Sequence, residues 1–274
     1  MSYKLVVTDM DGTFLNSKDE ISDENLKIVK ELNKRGILFS IATGRLDTMI
    51  KAYLRQIGNK NPVISCNGAL VRNVTKGEFY HAQIIKRENF LKIIDICKRN
   101  DLIFAVYCEY TVYSESIEGR IKYFVKYNES LCEEEKIAIK IVDNIYKDVN
   151  EKVFKILVTN DNSELLEQVK EEINKIPGIE VCKSSSNLLD ITAEGVTKGN
   201  ALKDLAEMLK ISREEIIAIG DNHNDISMLE YAGFAIAVGN AEQAVKDIAD
   251  LVTVSNDEDG VAKELREVLS INNI

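Results

Sequence analysis

Six short stretches of the chain are apolar almost throughout rather than at every second position: YKLVVTD (3–9), GILFSIAT (36–43), PVISCNG (62–68), EIIAIGD (215–221), FAIAVG (234–239) and LVTVS (251–255). A strand that is apolar on both sides must have both sides covered, which is the condition of a parallel sheet flanked by helices. Helical patterns fall between these stretches. Ser22 to Arg35 carries Leu26, Val29 and Leu32 at helical spacing, with Ser22 as N-cap and Gly36 as stop. A second pattern carries Met49, Ile50, Tyr53, Leu54 and Ile57 and ends at Gly58. Further helices are predicted at Gly199 to Lys210, at Asp225 to Tyr231, at Ala241 to Ala249 and from Gly260 onward. The alternation predicts an α/β fold with a doubly wound parallel sheet.

Residues 83–189 break the alternation. Predicted strands LIFAVYCE (102–109), TVYSE (111–115), VFKILVTN (153–160) and IEVCKSS (179–185) are grouped in pairs, with helices at Glu88 to Arg99 and Ser163 to Ile176. This grouping predicts an antiparallel sheet with helices on one side. The expected organisation is a core of residues 1–82 and 190–274 with an α+β domain, 83–189, inserted into it.

The 35 basic and 45 acidic residues leave a net charge of −10, a balance that repels nucleic acid and anionic membrane in the absence of a basic patch. No such patch occurs. The charge-dense runs CEEEKIAIK and QVKEEINK alternate in sign and read as solvated helix faces. The start, MSYKLVVTDMD, lacks the pattern of a secretory signal, and no apolar run approaches the roughly 18 residues of a membrane span. A cytoplasmic protein is expected, as a monomer or weak homo-oligomer, without nucleic-acid or membrane partners. Cys66, Cys97, Cys108, Cys132 and Cys182 are scattered with no CxxC pair, which reads as buried thiols.

In a doubly wound sheet, ligands sit beyond the carboxyl ends of the strands, near the reversal of strand order. Three predicted strands end in reactive residues: Asp9, Thr43 and Asp221. Asp9 and Asp11 are two positions apart, so in an extended chain both carboxylates project from one side, and Gly12 then lets the backbone turn away. Neighbouring carboxylates repel, and burial deepens the repulsion unless a cation intervenes. An all-oxygen set of this kind suits Mg²⁺, with Asp221 as a third acid. Asp225, at a predicted helix start, either caps that helix or orients a metal-bound water. Lys198, just before Gly199, and Arg45 supply the opposing charge, and a lysine at a helix N-terminus can meet a phosphate. Singly, these residues read as ordinary turns, caps and a solvated lysine. Placed jointly at strand and helix ends, they predict a phosphoryl-transfer site.

The motifs DMDGT (9–13), ATGR (42–45), VTKGNAL (196–202) and GDNHND (220–225), together with VISCNGALV (63–71), resemble those of the haloacid dehalogenase-like phosphatases. The insertion between the second and third motifs looks like the large α/β cap of their Cof-like sugar-phosphatase subfamily. That resemblance implies a Rossmann-like core with a cap governing substrate choice, and a small phosphate ester, a sugar phosphate or related phosphomonoester, as substrate. It also implies a two-step hydrolysis. Asp9 would be the nucleophile that forms an aspartyl phosphate, and Asp11 the acid that protonates the leaving oxygen and then the base that activates water. Mg²⁺ would be held by Asp9, the Asp11 carbonyl and Asp221, with Asp225 orienting a bound water. The Met10 backbone, Thr43, the Gly44 N–H, Lys198 and Asn224 would bind the phosphoryl oxygens. Thr13 would bond within the motif loop, and neither His81 nor His223 has a metal-ligand partner in sequence. A phosphosugar mutase of the same fold remains open, as does a non-hydrolytic phospho-receiver. The receiver fits less well, since receivers carry adjacent acids on the first strand. A binding protein that has lost catalysis is opposed by the intact Asp9 and Asp11.

Overall fold

The computed structural model describes residues 3–270. The chain divides into two compact units: Ala82–Val196 forms one, and the chain on either side of it forms the other.

In the unit built from the two ends of the chain, five parallel strands run in the order Leu251–Val252, Phe234–Ala237, Ile216–Gly220, Leu5–Thr8, Leu38–Ile41. Val6 stands between Ile217 on one side and Phe39 on the other. Leu5, Val6, Val7, Ile216, Ile217 and Ile219 are all buried, so both faces of the sheet are covered, and each such side chain contributes roughly 1.5–3 kcal/mol by leaving water. Strand order reverses at Leu5–Thr8, because the chain next enters the sheet at Leu38–Ile41 on one flank and at Ile216–Gly220 on the other. The residues following these three strands therefore face a common crevice.

Helix Asp23–Lys34 starts where Ser22 Oγ accepts the Asn25 N–H at 3.1 Å. The second predicted helix is shorter than its pattern: Met49 and Ile50 lie in a tight 3₁₀ turn, Asp47–Ile50, and the α-helix is Lys51–Gln56. A parallel bridge between Ala42 and Ile64 leads to a three-stranded sheet, Val63–Ser65, Leu70–Asn73 and Glu78–Ala82. The last two of these strands are additional to those predicted, since LVRN and EFYHA are short and carry charge.

The inserted unit is a six-stranded sheet ordered Ile179–Ser185, Leu188–Ala193, Val153–Thr159, Ile103–Cys108, Thr111–Ser114, Ala138–Ile141, antiparallel except for its last pair. Phe104, Val106 and Cys108 pack with Ile156 and Val158 against Phe90, Ile93 and Ile94 of helix Arg87–Arg99 and Leu166, Val169 and Ile173 of helix Ser163–Ile173. Strand periodicity sends Ile103 and Tyr107 to the opposite face. There, helix Gly119–Asn128 sets the Phe124 ring edge-on to Tyr107 at 6.4 Å, with Gly119 beside Ile103. Helices therefore contact both faces of this sheet, not one.

Strand Leu188–Ala193 pairs with Val153–Thr159 and Ile179–Ser185, so the chain returns to the core at Val196–Thr197, not between residues 189 and 190. Its apolar run LLDITA reads equally well as the start of the core. Cys66, Cys97 and Cys108 are buried, and burial pushes the Cys97 thiol up to about 12. Cys182 is half-buried, whereas Cys132 is exposed, contrary to the expectation for all five. Among the described residues, no helix is long and apolar enough to cross a membrane.

Candidate active site

Asp9 directly follows the central strand, and its N–H donates to the Ile219 carbonyl at 2.8 Å, one residue beyond the paired segment. The chain then closes a tight turn over Met10–Phe14, with the Leu15 N–H donating to the Met10 carbonyl at 2.9 Å and the Met10 and Phe14 side chains buried. Gly12 lies at φ +82°, and a Cβ on it would stand 2.6 Å from Asp221 Oδ2. Both the left-handed backbone and the close approach require glycine there.

This turn separates the two motif aspartates. Asp9 is buried, whereas Asp11 is exposed and its carboxylate is gripped by Arg45. Arg45 Nε donates to Asp11 Oδ2 at 2.9 Å and Nη2 donates to Oδ1. The extended-chain picture, with both carboxylates on one side, does not hold, because the chain leaves the strand geometry at Met10.

Asp9 meets other partners instead. Lys198 opens helix Lys198–Leu209, whose N-cap Thr197 accepts the Asn200 N–H at 3.0 Å. The Lys198 side chain is fully buried, and Nζ donates to Asp9 Oδ1 at 2.5 Å and to Asp225 Oδ1 at 2.6 Å. Asp225 Oδ2 accepts the backbone N–H groups of Asp221 and Asn222, each at 3.0 Å. Asp221 Oδ1 accepts the Thr13 hydroxyl at 2.7 Å, so Thr13 bonds across to another motif and not within its own loop. One carboxylate oxygen each of Asp9, Asp221 and Asp225 lie within 4.8 Å of one another.

Burial pushes the Asp9 carboxyl well above its ordinary range. Lys198 pulls it back, and Asp225, Asp221 and Asp11 add to the rise. Burial also pushes Asp221 up to about 6, against the Thr13 hydrogen bond and with the help of Asp225. For Lys198, burial works downward, but Asp225 and Asp9 outweigh it and hold the ammonium above its usual value. One lysine thus faces a cluster of three acids, and burial penalises the negative charge of Asp9 and Asp221. A hard divalent cation with oxygen ligands fits this donor set, since it would offset the surplus charge.

Thr43 is fully buried; its N–H donates to the Ile64 carbonyl at 2.9 Å, and its Oγ1 accepts the Arg45 N–H at 3.1 Å. Gly44 lies against Asn67: a Cβ on Gly44 would stand 2.9 Å from Asn67 Oδ1. That same Oδ1 accepts Asn224 Nδ2 at 3.1 Å. Asn67, which motif reading passed over, therefore joins the second and fourth motifs. The available signal was its position, two residues past Ser65 at the end of a predicted strand. His223 is exposed, and His81 pairs with Asp204 at 2.9 Å.

The comparisons with known proteins agree with this layout. A family profile described as haloacid dehalogenase-like hydrolase matches residues 6–265. A putative phosphatase of Haemophilus influenzae is 31% identical over 268 residues, covering 97% of this chain and 98% of that protein. A 5-amino-6-(5-phospho-D-ribitylamino)uracil phosphatase of Bacillus subtilis is 30% identical over 285 residues, covering 97% of this chain and 98% of that protein. The crystal structure of a haloacid dehalogenase-like hydrolase from Bacteroides thetaiotaomicron superposes with a TM-score of 0.87 at 30% identity, covering 97% of this chain and all of that one. With the profile spanning both ends of the parallel core and the acidic cluster at its crevice, this chain belongs to the haloacid dehalogenase-like hydrolase family.

Proposed function

We propose that this protein is an Mg²⁺-dependent phosphatase of small phosphorylated metabolites, sugar phosphates or related phosphomonoesters, acting through an aspartyl phosphate. The observation that carries the reading is the buried Asp9 carboxylate, held by Lys198 beside Asp221 and Asp225 at the carboxyl end of the central strand. Relatives at 30% and 31% identity that bear the name phosphatase support it.

In the first step a carboxylate oxygen of Asp9 attacks phosphorus, the ester P–O bond breaks, and Asp11 gives its proton to the leaving oxygen. In the second, water attacks phosphorus, Asp11 takes the proton, and Asp9 is released with inorganic phosphate. Such acid–base assistance is typically worth about 10²–10⁴ in rate. Thr43, the Gly44 N–H, Lys198, Asn224 and the Met10 backbone bind the phosphoryl oxygens. Asp9, the Asp11 carbonyl and Asp221 would hold Mg²⁺, which would supply positive charge to offset the acid cluster and the phosphoryl group. Asp225 fixes Lys198 and the Asp221 backbone by accepting from both, and would orient a metal-bound water. The inserted unit sets the choice among esters.

The test is a phosphate-release screen over sugar phosphates, nucleotides and cofactor phosphates, with Mg²⁺ and then with chelator. Release with Mg²⁺, its loss on chelation and an inactive Asp9→Asn are expected. Full activity in Asp9→Asn, or no release from any ester, would overturn the reading. Conversion of a sugar phosphate to its isomer without accumulating inorganic phosphate would mark a mutase.

A further inference from the structure

Asn67 sits between two elements that the phosphatase reading assigns to phosphate binding, and it touches both. Its backbone N–H donates to the Thr43 carbonyl at 3.1 Å, and the neighbouring Cys66 N–H donates to the Arg45 carbonyl at 2.9 Å, so this segment is bonded along the second motif. Its side chain does something different. Oδ1 accepts Nδ2 of Asn224 at 3.1 Å and stands beside Gly44, where it would lie 2.9 Å from a Cβ. Asn67 is 7% exposed, so these contacts are made out of water, where a misdirected amide is costly.

We infer that Asn67 is a positioning residue of the phosphate pocket, fixing the Asn224 amide and the Gly44 backbone relative to each other so that both address one phosphoryl group. This rests on the phosphatase reading. An amide carries two N–H donors, and spending one of Asn224's on Asn67 fixes the direction of the other. The competing explanation is purely conformational. Asn67 has φ +59°, a left-handed backbone that asparagine tolerates better than most residues. If that were its whole role, glycine would serve as well, because glycine adopts this conformation freely. Asn67→Gly therefore separates the two explanations: it keeps the turn and the Thr43 bond and removes only the side chain.

The experiment measures kcat and KM for p-nitrophenyl phosphate and the inhibition constant of inorganic phosphate in the full-length protein with Mg²⁺. In Asn67→Gly, KM and the phosphate inhibition constant should both rise roughly tenfold, while kcat falls by less and the urea midpoint drops by no more than the loss of one buried hydrogen bond. In an Asn224→Ala background the same change should have a clearly smaller effect, because the amide it positions is gone and only its contact with Gly44 remains. Unchanged phosphate inhibition in Asn67→Gly, or a full effect persisting without Asn224, would overturn the inference. Should Asn67→Gly fold poorly, Asn67→Asp keeps the acceptor oxygen but sets a negative charge beside the phosphoryl group. It should weaken phosphate more strongly still, and native-like phosphate inhibition in that variant would also overturn the inference. Asp9→Asn run in parallel distinguishes the failures: residual full activity there defeats the phosphatase reading, whereas a silent Asn67→Gly beside an inactive Asp9→Asn defeats only the role of Asn67.

Discussion

Arg45 holds the Asp11 carboxylate with two donors, Nε and Nη2, while its guanidinium lies 5.7 Å from the centroid of the Tyr53 ring. The Asp11 side chain is 47% exposed, and a pair that open to solvent is worth only about 0–1 kcal/mol to the fold. Its use is directional, since the planar fork fixes the carboxylate plane of the residue proposed to move the proton. Arg45→Lys keeps the charge and loses the fork. We expect kcat for an alkyl phosphate to fall roughly 10- to 100-fold, the scale of a misplaced catalytic group, with an unchanged unfolding midpoint. The loss should be smaller on p-nitrophenyl phosphate, whose leaving group needs little proton assistance. Equal losses on the two esters would place Arg45 in phosphate binding instead.

If the acid cluster is the proposed cation site, stability should depend on pH and on the cation together. Asp221, raised from 3.8 to about 6 chiefly by burial, binds its proton more tightly folded than unfolded. Its favourable contribution is therefore complete below pH 3.8 and disappears as pH rises through about 6, a displacement corresponding to roughly 3 kcal/mol. Asp9 is displaced in the same direction. With chelator present, this contribution should fade between about pH 4 and pH 6, and Mg²⁺ should restore stability above that window, where the carboxylates are ionised. Melting temperatures with and without Mg²⁺ should thus differ more near pH 7.5 than near pH 5. A pH-independent difference would count against these carboxylates as the cation site.

Asp47 and Arg72 form a buried ion pair, with Nε–Oδ2 at 2.5 Å and Nη2–Oδ1 at 2.6 Å, between the turn after the second motif and strand Leu70–Asn73. Even so, burial holds the Asp47 carboxyl above its usual value against the pull of Arg72. Removing the arginine leaves a carboxylate in a dry site, so Arg72→Met should cost about 3–5 kcal/mol in urea unfolding. Asp47→Leu combined with Arg72→Met should recover most of that loss, because the cost lies in the unpaired charge. A double variant as unstable as the single one would show that shape, not charge, governs this position.

Local pattern was enough for the parallel core. Leu5–Thr8 and Ile216–Gly220 are apolar on both faces, and Ser22 and Gly36 punctuate a helix through properties of their own. It was not enough where an element's meaning depends on its neighbours. LLDITA is the same run whether it starts a core or edges an inserted sheet, and only its pairing with Val153–Thr159 decides. The motif aspartates show the same limit. Their spacing is local, but the turn at Met10–Phe14 that sends Asp11 toward Arg45 is set by burial of Met10 and Phe14 and by room beside Asp221. Asn67 and Asn224 are 157 positions apart, and nothing in either neighbourhood announces their hydrogen bond.

Gly12 offers a test of that turn in which folding and function should part. An alanine there meets two separate obstacles: a φ of +82°, costing about 1–2 kcal/mol for a residue with a Cβ, and Asp221 Oδ2 at 2.6 Å from the new methyl carbon. Asp221 is half-buried and its carboxylate can rotate away, but doing so breaks the 2.7 Å bond from Thr13 and moves an oxygen out of the acid cluster. The strain is small beside the stability of a typical domain, so Gly12→Ala should fold, with its urea midpoint only modestly lowered. Its activity should fall far more than its stability, and part of the loss should return at higher Mg²⁺ concentration, because a displaced Asp221 oxygen would weaken the proposed cation site. Thr13→Val removes the same bond without the methyl clash. It should reproduce the higher Mg²⁺ requirement in milder form, and a Thr13→Val enzyme with native Mg²⁺ dependence would locate the Gly12 effect in the turn's backbone alone.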